Sequence, residues 1–151
     1  MAAEQEVVVI DLDGTITRHG FFNLNIPLPW WSWFFLSPFF LVVYVLASKP
    51  KKGIAEKMRA MKKRGCRFVI LTRRPHQFFC FWITKRLLLF HRIPFDNLFC
   101  VGFGRGANER KLKIIKEIKA KAFVDSDKHM VEFMQKNSVN AVISLEYLDY
   151  N

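Results

Sequence analysis

VVVIDLDGTIT, residues 7–17, sets the architecture of this chain. Four apolar β-formers, Val7 to Ile10, run into Asp11, and Asp13 follows two residues later. Gly14 and Thr15 then turn the chain. A hydrophobic strand that ends on an acid puts that acid at the strand's carboxyl edge, the place where open α/β sheets bind ligands. Two carboxylates at spacing two project toward one side of such an edge. There they can hold a divalent metal and still do acid/base or nucleophilic work. The plain alternative is an acidic turn without chemistry.

Outward from this stretch, strand patterns recur at 67–72 (RFVILT), 98–102 (LFCVG), 121–125 (KAFVD) and 140–145 (NAVISL), with the first at 6–11. Helical patterns alternate with them. Residues 53–64 put Ile54, Met58 and Met61 on one face, and Gly65 follows as a C′ residue. Residues 108–119 line up Leu112, Ile115 and Ile118, with Asn108 as N-cap. Residues 128–136 turn Val131 and Met134 inward, capped by Ser126 or Asp127. The stretch 78–90, FFCFWITKRLLLF, is apolar nearly all round except for Thr84, Lys85 and Arg86. Alternating strand and helix predicts a three-layer, Rossmann-like α/β fold on a parallel sheet, formed by one domain over residues 1–151.

The chain carries 24 Lys+Arg against 13 Asp+Glu, a net charge of +11, which favours anionic partners: a lipid surface, nucleic acid or phosphorylated metabolites. Hydrophobic residues make up 51%, with 16 phenylalanines. Cys66, Cys80 and Cys100 are an odd count at no metal-ligand spacing, each in an apolar stretch. Buried, reduced thiols and a reducing cytosol follow. The first apolar run is a strand, and the residues before it are acidic, so no cleavable leader is expected.

Two further strand ends carry chemistry. Thr72 closes VILT, where its hydroxyl can donate to a phosphate oxygen or cap a helix starting at Pro75. Asp125 closes AFVD, with Ser126 and Asp127 behind it. Asp-Leu-Asp-Gly-Thr after a strand, a Thr at the second strand end and an acid at the fourth resemble, in order and spacing, the motifs of the haloacid dehalogenase superfamily. That resemblance spans residues 7–127 and implies a Mg²⁺-dependent phosphatase. It makes Asp11 the nucleophile that forms an aspartyl-phosphate, and Asp13 the acid that protonates the leaving oxygen and then deprotonates water. It places Mg²⁺ between Asp11, the carbonyl of Asp13, and Asp125. It assigns Thr72 and a helix lysine to the phosphate oxygens. Lys111 fits the spacing of that lysine best, with Lys113 next and Lys116 also on the helix. The resemblance leaves Asp127 as either a second acid of the metal shell or a helix cap. Arg73 and Arg74 can grip a second phosphate or an acidic headgroup, or be solvated.

Between the first two motifs lies an insert at 20–48 without a charged residue, containing LPWWSWFFLSPFFLVVYVLA. It is long enough to span a bilayer. One crossing would put Asp11 and Asp125 on opposite sides, and Pro27, Pro29 and Pro38 interrupt a continuous helix. The insert is therefore expected to return to the side it left, as a re-entrant hairpin broken near Pro38 or as helices lying in the interface, with Trp30, Trp31, Trp33 and Tyr44 at headgroup depth. Arg18, Lys49, Lys51 and Lys52 would face anionic lipid. An oligomer interface or an unusual core segment are the alternatives. The helix at 78–90 either adds to the lipid surface or packs on the sheet. Neither interval between motifs holds a folded cap of the usual size. The expectation is a capless phosphatase, peripheral or monotopic on the cytoplasmic membrane face. Its substrate would be a lipid phosphate, and the chain resembles the phosphatidylglycerophosphate phosphatases of that superfamily. A soluble oligomeric sugar or nucleotide phosphatase and a nucleic-acid end-processing phosphatase are the rivals. The aromatic residues are not interleaved with Lys and Arg, so no nucleic-acid partner is expected.

Overall fold

Five short apolar runs become five parallel strands. The computed structural model describes residues 6–17, 49–76, 78–102, 104 and 106–143. In chain order these hold β1 (Val7–Asp11), α1 (Ile54–Lys63), β2 (Arg67–Thr72), α2 (Phe78–Phe90), β3 (Asn97–Cys100), α3 (Ala107–Glu117), β4 (Ala122–Asp125), α4 (Lys128–Lys136) and β5 (Ala141–Ile143). The sheet order is β3-β2-β1-β4-β5. Every pairing is parallel.

Strand side chains alternate between two cores, as a pleated sheet buried on both faces requires. Val8, Ile10, Phe68, Ile70 and Val124 pack with Ile54, Met58 and Met61 of α1 and Leu88 of α2. Val9, Val69, Leu71 and Phe123 pack with Ile115 of α3 and Met130, Val131 and Met134 of α4. Each of these buried apolar side chains contributes about 1.5–3 kcal/mol. The chain thus leaves β1 toward one face to reach β2, and enters β4 from the other. That divergence opens a crevice at the carboxyl ends of β1 and β4. Ile10 lies opposite Val124 in the register, so the next residues, Asp11 and Asp125, stand side by side in it.

Two local expectations are corrected. Gly106, at φ 80°, takes the N-cap of α3, so Asn108 lies inside the first turn. Glycine tolerates that left-handed backbone without steric cost and admits the chain to the helix two residues early. Of the three free thiols only Cys80 is buried; Cys66, in the turn before β2, and Cys100, at the end of edge strand β3, are half-buried. Gly65, at φ 97°, follows α1 as its sequence position predicts. Among the described residues between Thr72 and Lys111, α2 and β3 precede the start of α3. The insert at 20–48 lies outside the described residues. No helix among the described residues is long and apolar enough to cross a membrane.

Candidate active site

β1 ends on Asp11, which is buried. The backbone then folds back on itself. Ile16 and Thr17 both donate their N–H to the Leu12 carbonyl, at 3.0 and 2.9 Å, with Gly14 at φ 88° inside the loop. A side chain at Gly14 would be strained at that φ. The Thr15 hydroxyl is buried and accepts from the Ser126 N–H at 2.8 Å. That bond ties the β1 loop to the end of β4.

Lys111, on α3, is only 1% exposed. A lysine is buried to that degree when it is paired. Its ammonium donates to Asp11 Oδ1 at 2.5 Å and lies 3.6 Å from Asp125 Oδ2. The Phe123 ring lies 5.7 Å from the same nitrogen. Asp125 also accepts at 2.9 Å from the Asp127 N–H. Burial pushes the Asp11 carboxyl up to about 7, and the charges of Asp125 and Asp13 add to that against the pull of Lys111. Burial likewise raises Asp125, again against Lys111. A buried carboxylate pair resists holding two negative charges.

Arg74 and Thr72 hold Asp13 by three hydrogen bonds. Arg74 donates Nη2 to Asp13 Oδ1 at 2.6 Å and Nε to Oδ2 at 3.1 Å. The Thr72 hydroxyl donates to Oδ2 at 3.0 Å, and itself accepts from the Arg74 N–H at 3.2 Å. Arg74 Nη1 donates to Thr84 on α2 at 3.2 Å. Such a two-pronged pair sets the carboxylate's direction as well as its place. Arg74 is 2% exposed, so it is neither solvated nor open to a headgroup.

A cavity of about 390 Å³ opens over these groups, lined by Asp11, Asp13, Arg73, Lys111, Asp125, Ser126 and Asp127. Arg73 sits on its rim. Its Nη2 donates to Asn108 at 3.1 Å and lies 3.6 Å from Asp127 Oδ2. Its Nε is buried and has no hydrogen-bond partner among the described residues. Asp127 caps α4, accepting from the N–H groups of His129 and Met130. The crevice therefore gathers Asp11, Asp13, Thr72, Arg73, Lys111 and Asp125. Lys113 is instead 77% exposed and pairs with Glu117, and Lys116 also faces outward.

No protein-family profile matches the chain, and no curated protein matches it in sequence. Solved structures do match. A chain of the Pnkp1/Rnl/Hen1 RNA repair complex superposes with a TM-score of 0.66 at 16% identity, over 95% of this chain and 43% of that one. This chain thus spans less than half of that protein's length. A haloacid dehalogenase-like family hydrolase from Streptococcus pneumoniae gives 0.60 at 12%, over 91% of this chain and 83% of that one. A phosphoserine phosphatase gives 0.54 at 12%, over 97% and 99%. The fold is that of the haloacid dehalogenase-like hydrolases.

At 12–16% identity the likeness is one of fold. Within the haloacid dehalogenase-like fold, the donors at the carboxyl edge here are all oxygens: the Asp11 and Asp125 carboxylates and the main-chain carbonyls beside them. That set suits a hard divalent cation such as Mg²⁺. Among the described residues no three His, Cys, Asp or Glu side chains form a ready cage. The Lys111 ammonium reaches both carboxylates instead. Sequence reasoning did not find the roles of Arg74, Thr84 and Thr15. A usable signal existed for Thr84. At about 100° per residue it falls between Cys80 and Leu88, on the inner arc of an apolar helix, where a hydroxyl needs a partner. Nothing in the sequence distinguishes buried Arg74 from its half-exposed neighbour.

Proposed function

We propose that this chain is a Mg²⁺-dependent phosphomonoesterase that works through an aspartyl-phosphate on a membrane lipid phosphate. Phosphatidylglycerophosphate is the leading substrate. The observation that carries this reading is the meeting of Asp11, Asp125 and the buried Lys111 at one strand edge, beneath a cavity with Asp13 on its wall. The phosphatase chemistry is supported by the shared fold. The lipid substrate is supported by the uncharged aromatic insert at 20–48 and the net charge of +11.

Asp11 attacks phosphorus in line. The bond to the leaving oxygen breaks, and Asp13 gives that oxygen a proton. Asp13 then takes a proton from water, which attacks the aspartyl-phosphate and frees inorganic phosphate. Lys111 faces the equatorial oxygens, and the Thr72 hydroxyl turns from Asp13 to join it. The unpaired Nε of Arg73 suits a further anionic oxygen of the substrate. Asp11, the Asp13 carbonyl and Asp125 would hold Mg²⁺. Bound there, it would offset repulsion between carboxylate and phosphate and stabilise charge in the transition state.

Turnover of phosphatidylglycerophosphate in mixed micelles, with Mg²⁺ and then with excess chelator, tests the whole reading. Release of phosphate that stops with chelator is expected. Hydrolysis of a phosphate-terminated oligonucleotide or a sugar phosphate, with none of the lipid, would overturn the lipid assignment. Arg74 is expected to act through Asp13 as a positioning residue. Arg74→Ala should lower kcat by about 10²-fold on an alkyl phosphate, whose leaving oxygen needs a proton. On p-nitrophenyl phosphate, whose leaving group does not, the burst of p-nitrophenol that reports the first step should slow by no more than about threefold. Equal losses in that first step on both substrates would show that Arg74 serves the fold and not Asp13.

A further inference from the structure

Six large hydrophobic side chains stand exposed among the described residues, and five of them lie on α2: Phe78, Phe79, Trp82, Leu89 and Phe90, at 82, 49, 46, 53 and 82%. At about 100° per residue they share one arc of roughly 120°. Arg86 falls within that arc and Lys85 just beyond its edge beside Phe78, and both are exposed. The Arg86 guanidinium lies 5.1 Å from the Trp82 ring centre. The opposite arc, with Cys80, Ile83, Thr84, Leu87 and Leu88, is buried. Packing on the sheet therefore uses only half of this helix, and the other half is as greasy as a core.

We infer that the outer arc of α2 is a docking face for an anionic bilayer surface. Its charge pattern selects that occupant. A second copy seated on the same face by twofold symmetry would set Lys85 and Arg86 against their own counterparts. The chain's own segment 20–48 contains no acid to meet them. An anionic headgroup layer offers counter-charge at the level of the lysine and arginine, an interface that suits Trp82, and hydrocarbon for the phenylalanines. The seat also suits the chemistry. α2 follows Thr72, so Phe78 and Phe79 lie at the same sheet edge as the catalytic cavity. On the buried side, Thr84 accepts from the arginine that holds Asp13. Docking on this arc brings the first turn of α2, at the cavity's edge of the sheet, to the headgroup plane. This inference deepens the lipid part of the proposed function and does not depend on its chemistry.

The test is co-sedimentation of the full chain with vesicles of phosphatidylcholine, alone or with phosphatidylglycerol, alongside turnover of p-nitrophenyl phosphate. The wild-type chain should pellet with the anionic vesicles and far less with the neutral ones. K85E/R86E should cost at least about thirtyfold in anionic-vesicle affinity and erase the preference. F78S/W82S/F90S should weaken binding by at least about a hundredfold. Both variants should turn over the soluble phosphate at the wild-type rate. Undiminished binding by K85E/R86E, which leaves every apolar contact in place, would overturn the inference even if the serine variant failed to fold. So would a wild-type chain that ignores anionic vesicles, or a lipid-free oligomer that the serine variant splits. Vesicle binding that follows the expected pattern, with no phosphate released from any substrate, would instead sink the phosphatase reading alone.

Discussion

Asp11→Asn is expected to lower phosphatase turnover by at least about 10⁴-fold, because an amide oxygen cannot take the place of the attacking carboxylate. The substitution is nearly isosteric, and Lys111 keeps Asp125 as a partner at 3.6 Å. Fold and vesicle association should therefore survive. A second readout follows from burial. In the folded chain the Asp11 carboxyl is pushed up from 3.8 to about 7. Between those values the folded state retains a proton that the unfolded state has released. Stability from this group is therefore greatest at low pH, falls as pH rises through that window and is level above it. Asn does not titrate. The difference in urea midpoint, wild type minus D11N, should fall from about pH 4.5 to about pH 7.5 in metal-free buffer. A difference that rises with pH would mean that Lys111 outweighs burial at Asp11. Turnover retained by D11N would remove it as the nucleophile.

Lys111→Met should damage both function and fold. Loss of an oriented cation facing the phosphate costs about 10²–10³ in kcat/KM. Removing one partner of a buried pair costs about 3–5 kcal/mol, because Asp11 and Asp125 then face each other without a counter-charge. Against a total stability of about 5–15 kcal/mol, that leaves a marginal fold, so rates must be read well below the melting point. Lys113→Met, two residues along the same helix, is the control. Lys113 is 77% exposed, and its i,i+4 pair with Glu117 is worth only tenths of a kcal/mol. Initial rates and urea unfolding of the two variants separate the lysines. Equal effects would take Lys111 out of the site.

Much of the scaffold was legible because it rests on short-range rules. Runs such as VVVID and RFVILT have too little polarity to be anything but buried strands, and an acid or hydroxyl closing such a run must sit at the edge. The periods of Ile54, Met58 and Met61, and of Val131 and Met134, announced the helix faces that became buried. Lys111 was legible through a family spacing, since three lysines share its helix and composition alone does not rank them. Arg74 was not legible. Its partners Asp13 and Thr84 lie 61 and 10 residues away, and only packing brings the three together. Asn108 was misread because capping preference is weak against a glycine two residues earlier that enters the left-handed region freely.

From its order of residues alone, this chain specified a parallel α/β sheet, the strand ends that carry Asp11, Thr72 and Asp125, and an excess of positive charge. Those features follow from local hydrophobicity and backbone preference, which act over a few residues. Which lysine is buried, which arginine grips Asp13 and which arc of α2 stays uncovered were set by the folded chain. Each depends on distances between segments far apart in sequence, and on what burial costs a charge once they meet.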